Sequence, residues 1–72
     1  MFRLLREKRF LRERVKVLAK EENINIKPSR KRRILDKQMA LLARIQLSYD
    51  NMDWIDGYLY RELLRKQLQS LR

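Results

Sequence analysis

Residues 27–33 read Lys27-Pro28-Ser29-Arg30-Lys31-Arg32-Arg33, and the fold turns on how this stretch is read. It holds the only proline of the chain and its densest run of positive charge. Proline disfavours helical geometry in the residue before it, so a helix arriving from the N-terminal side ends before Lys27. Ser29 is a residue type that caps helices, which predicts a new helix from Arg30. Arg32 stands where a capping box wants Glu, so no box forms. The stretch therefore separates two helices and is the basic start of the second. Cations at that end oppose the helix dipole, which is positive there. A chain that accepts this cost points to an external anion; the simpler reading leaves the charges solvated.

Upstream, residues 3–22 have helical periodicity. Leu4, Leu11, Val15 and Leu18 share one face, widened by Leu5, Lys8 and Ala19. Arg9, Arg12, Lys16 and Lys20 lie roughly opposite. Phe10 and Val17 sit one heptad apart off the main face, a second stripe suited to a further neighbour. Asn23 and Asn25 suit turn positions, and Ile24 and Ile26 read as buried loop anchors. Downstream, residues 30–50 place Ile34, Leu41, Ile45 and Met52 on one face, with Leu35, Leu42 and Tyr49 beside it. Arg30, Arg33, Lys37 and Arg44 fall on the other side. Asp53 is positioned to cap a third helix over residues 54–70, with Tyr60, Leu64, Leu68 and Leu71 on one face and Leu63 beside them. Gly57 lies inside that helix, which suits a close helix crossing or a later helix start. The expected fold is all-α, a single domain built as a small helical hairpin or three-helix bundle. Its first two helices are expected to run antiparallel across the basic loop.

The 72 residues are enough for one small core, and a core of that size is marginal. Small scaffolds usually add a disulfide, a metal or a partner. The chain has no Cys and no His, which removes disulfides, thiolate metal sites, the commonest zinc ligand and the commonest general base. Oligomerisation remains, so a homodimer through the second and third helices is expected. The net charge is +10, and residues 1–37 hold +9 of it against +1 for residues 38–72. The N-terminal half thus reads as the contact half. With 44% hydrophobic residues at helical spacing, the charge does not imply disorder. No apolar run approaches the ~20 residues of a spanning helix. Met1-Phe2-Arg3-Leu4-Leu5-Arg6 lacks the apolar core of a secretory signal, and Glu7, Glu13, Glu21 and Glu22 argue against a mitochondrial presequence. An intracellular protein, cytoplasmic or nuclear or nucleoid, is expected.

Lysine and arginine rows at helical spacing can track a row of phosphates and gain affinity by counterion release. Arginine adds bidentate phosphate geometry. The expected function is non-enzymatic binding of DNA or RNA through its phosphate backbone. The candidate contacts are Arg9, Arg12, Lys16, Lys20, Arg30, Lys31, Arg32, Arg33 and Lys37. A helix-turn-helix over residues 17–35 is disfavoured, because Glu22 to Ser29 exceeds the three or four residues of that turn. Base stacking is disfavoured too, since Tyr49, Trp54, Tyr58 and Tyr60 lie in the weakly charged half. The basic run also fits a nuclear-localisation-like signal, and the first helix an anionic lipid surface, both weaker readings. Asp50, Asp53 and Asp56 read as turn and cap residues rather than metal ligands, and Ser29, Ser48 and Ser70 have no His partner. No cofactor, metal or small-molecule substrate is expected. The rival function is a protein-binding regulator, inhibitor or subunit of a ribonucleoprotein assembly, marked by Phe2, Phe10, Val17 and Trp54 staying exposed.

Overall fold

The computed structural model of the chain describes residues 2–71, with side chains described from Arg6 onward. The expectations for Phe2, Leu4 and Leu5 lie outside the described side chains. The fold is all-helical: α1 spans Phe2–Glu21, α2 Arg32–Asn51 and α3 Trp54–Ser70. Helix α2 is the spine. It packs against both other helices, while among the described residues α1 and α3 make no close backbone approach to each other. One core joins all three: Val15, Leu18 and Ala19 from α1, Leu35, Leu41, Leu42 and Ile45 from α2, and Leu64 and Leu68 from α3. No described helix is long and apolar enough to cross a membrane.

Helices α1 and α2 run parallel, which corrects the antiparallel expectation. Arg32 Nη2 donates to Glu7 Oε1 near one end of the pair at 3.3 Å, and Gln46 Nε2 donates to Glu21 Oε2 near the other at 3.4 Å. The chain must therefore travel back along α2 before starting it. From the level of Gln46 to that of Arg32 is about 21 Å of helix, and the intervening residues 22–31 reach that far only when largely extended. Their sequence fits this geometry. Ile24 and Pro28 are buried and Ile26 is half-buried, while Asn25, Lys27 and Arg30 are exposed, the alternation of an extended segment.

Local chemistry fixes both ends of this return segment. Asn23 adopts the left-handed conformation, φ 56°, that ends helices. The Asn23 N–H donates to the Lys20 carbonyl at 3.1 Å and the Ile24 N–H to the Ala19 carbonyl at 2.8 Å, the pair of bonds of a Schellman motif. At the far end Gln38 holds the segment down. Its Nε2 donates to the Lys27 carbonyl at 3.0 Å, and its Oε1 accepts from the Ser29 N–H at 2.9 Å. One buried amide thus satisfies the backbone on both sides of Pro28. Ser29 does not cap α2. Its hydroxyl accepts from the Lys31 N–H at 3.1 Å in a local turn, and α2 starts at Arg32 rather than Arg30.

The α2 and α3 faces also shift from expectation. Leu35, Leu42 and Ile45 face the core, Ile34 is half-buried, and Met52 and Tyr49 are exposed. On α3, Leu64 and Leu68 are buried but Leu63 is exposed. Asp53 precedes α3 as expected, yet its carboxylate makes no capping bond. Gly57 is in the first turns of α3 and makes room for a side chain: a Cβ there would stand 2.8 Å from Arg61 Nη1. The Arg61 guanidinium donates to Ser48 Oγ at 3.0 Å and lies 4.0 Å from the Tyr49 ring centroid. Tyr49 in turn donates to Glu22 at 2.8 Å, so this cluster ties α2 and α3 to the turn that follows α1. Partial burial, and then the bond to Glu22, raise the Tyr49 phenol above its usual pKa. Gly57→Ala should therefore show its helix-propensity gain of about 0.5–1 kcal/mol in full only in an Arg61→Ala background. In the parent chain, displacement of Arg61 should cancel most of it. Urea titrations of the double-mutant cycle check this; equal effects in both backgrounds would contradict the seating role of Gly57.

Candidate nucleic-acid interface

The parallel arrangement decides which cations meet. The return segment arrives beside the N-terminal half of α1, and Arg30 lines one shallow cleft with Lys8, Arg9 and Arg12. These four cations come from two separate segments. None of them forms an ion pair among the described residues, whereas Lys16, Arg32 and Arg65 do. The Arg12 Nε is buried and has no hydrogen-bond acceptor within the described protein. Leaving such a donor unmatched costs about 1–3 kcal/mol. Arg65 Nε on α3 is unmatched in the same way, and in the cleft the like charges gathered without counterions repel as well.

The remaining candidates lie in three other places. Lys16 and Lys20 continue the flank of α1 that carries Arg9, about 16 Å along the helix from Arg9 to Lys20. Lys16 stands 3.6 Å from Glu13, an exposed pair that solvent screens. Lys31, Arg32 and Arg33 surround the N-terminus of α2, which has no side-chain cap and no acid in its first turn. Lys37 lies on the flank of α2 facing the end of α3, beside Arg44, Gln67 and Ser70. The nine candidates therefore do not form one continuous row.

Arg32 differs from its neighbours. Its Nε donates to Asp36 at 3.0 Å and its Nη2 to Glu7 at 3.3 Å. Those two hydrogen bonds, Asp36 first, raise its pKa. Arg32 is thus engaged in joining α1 to α2. Lys8 is the residue that sequence reasoning placed elsewhere, on the apolar face of α1. Its spacing of four from Arg12 was the available signal, since residues four apart are neighbours on a helix. Among the described residues, no group of three or more acidic side chains converges as metal ligands would.

Two stripes away from the cleft are apolar and exposed. Phe10 is 63% exposed and Val17 46%, on the outer side of α1. Trp54 is 80% exposed at the start of α3, with Ile55, Tyr58, Leu59 and Leu63 exposed after it. Set against protein-family models, curated proteins and solved structures, the chain matches none of them.

Proposed function

We propose that this chain is a small non-enzymatic nucleic-acid-binding protein that grips a phosphate backbone. The observation that carries this reading is the meeting of Arg30 with Lys8, Arg9 and Arg12 in one cleft with no ion pair among the described residues. Lys16 and Lys20 along α1, and Lys31 and Arg33 at the start of α2, extend the contact, with Lys37 at its margin. Among the described residues no aromatic side chain lines the cleft, so the binding is to phosphates rather than to bases. Arg32 serves as a positioning residue, since its guanidinium is held by Asp36 and Glu7.

The test is fluorescence anisotropy with scrambled duplex and single-stranded probes, DNA and RNA, across a salt series. Log affinity should fall linearly with log salt, with a slope near −0.9 for each phosphate neutralised on duplex DNA. Arg30→Ala should weaken binding and flatten that slope by about 1, while Arg32→Ala should leave the slope unchanged. A flat salt response, or no binding at low salt, would sink the reading. The second reading, a protein-binding module, is favoured by the exposure of Phe10, Val17 and Trp54. Nuclease-resistant recovery of one protein from a native lysate would support it.

A further inference from the structure

Helix α3 is apolar on two sides. Its inner side carries Leu64 and Leu68 into the core. Its outer side presents Ile55, Leu59 and Leu63, at successive spacings of four, with Tyr58 beside them and Trp54 at the start, all more than half exposed. The stripe covers about 12 Å of helix. A surface helix ordinarily turns charge to water on that side, so an exposed apolar stripe marks a contact.

The charge on α3 identifies the occupant. Asp53 and Asp56 stand at its N-terminal end and Lys66 near its C-terminal end, where Arg65 is already paired with Glu62 at 3.2 Å. Two such helices laid antiparallel bring acid against base at both ends and oppose their dipoles favourably. A two-fold axis produces this arrangement from identical surfaces. The partition of charge in the chain also permits it. Residues 38–72 carry only +1, so two copies can meet through α3 while the +9 halves stay apart. We infer that the outer face of α3 is a self-association surface, pairing antiparallel with the α3 of a second copy of this chain. This inference is independent of the nucleic-acid reading.

Sedimentation equilibrium of the nuclease-treated full chain, at tens of micromolar and low salt, tests it. The chain should sediment as a dimer. Leu59→Asp should raise the dimer dissociation constant on the order of 100-fold or more, because it places an unpaired charge within the apolar contact. Leu59 is 61% exposed, so the helical circular dichroism of this variant should be unchanged. Leu63→Asp, also at an exposed position, should act likewise, and Phe10→Asp on α1 should leave the dimer intact. Lys66→Glu should weaken the dimer, and adding Asp56→Lys should restore it. A monomeric parent chain overturns the inference, including one whose α3 face takes up a different protein. So does a dimer that survives Leu59→Asp or dissolves on Phe10→Asp. A dimer indifferent to Lys66→Glu overturns the antiparallel orientation.

Discussion

Replacing Gln38 by leucine will lower the stability of the fold by about 2–4 kcal/mol, although leucine has nearly the same volume and suits the apolar face it would join. Gln38 is 3% exposed and makes two hydrogen bonds to the return segment, one to the Ser29 N–H and one to the Lys27 carbonyl. Leucine offers neither. Each backbone group left without a partner at a partly buried site costs about 1–3 kcal/mol. A domain of this size has only about 4–11 kcal/mol in total, so the loss is a large share of it. Gln38→Glu separates the two bonds. A carboxylate still accepts from the Ser29 N–H, but it has nothing to donate to the Lys27 carbonyl and adds a buried charge. It too should destabilise. Urea unfolding measures the loss, and hydrogen exchange locates it: the Ser29 amide should lose protection first. An unchanged urea midpoint for Gln38→Leu would show that the return segment is held by Ile24 and Pro28 alone.

Much of the architecture was legible in the spacing of apolar residues, and the misreadings have physical causes. Val15 and Leu18, Leu41 and Ile45, and Leu64 and Leu68 repeat at helical intervals, so the existence of three helices followed from periodicity. Their relative direction did not. Asn23 and Pro28 are turn residues, and a turn implies antiparallel neighbours; the buried Ile24, half-buried Ile26 and buried Pro28 alternate instead as an extended strand would. Gln38 was hidden because a polar residue between Leu35 and Leu41 looks like an interruption of the stripe rather than its anchor. Leu63 and Leu64 are adjacent, and periodicity alone cannot choose which of two apolar sides faces the core. Arg32 is indistinguishable by type from Arg30 and Arg33; its partner Asp36 lies four residues on, within reach of spacing arguments, but the approach of Glu7, twenty-five residues earlier, lies beyond them.

The same approach of distant segments sets the largest expected effect on binding. Reversing Arg9, Arg12 and Arg30 to glutamate should reduce affinity for duplex DNA by at least 10²–10³-fold at about 0.1 M salt. Release of counterions with a slope near −0.9 per phosphate corresponds to roughly eight-fold for each contact at that salt, so losing three gives about 500-fold before the new repulsion is added. Arg9 and Arg30 are exposed and Arg12 is half-buried, so the core should survive the change; circular dichroism and the urea midpoint check that it does. A control that reverses Arg44 and Lys66 to glutamate and adds Gln69→Glu, a change of five charge units against six, on α2 and α3 away from the cleft, distinguishes local contact from net charge. That variant should lose far less, because long-range attraction is screened within about 8–10 Å at such salt. Equal losses in the two variants would mean that the chain attracts nucleic acid by its overall charge and that the cleft has no special part. A larger loss at Arg9, Arg12 and Arg30 requires the parallel pairing of α1 and α2, since only the return segment carries Arg30 to the N-terminal half of α1. Gln38→Leu should then weaken binding as well, without removing a single cation, by releasing the segment that holds Arg30 in place.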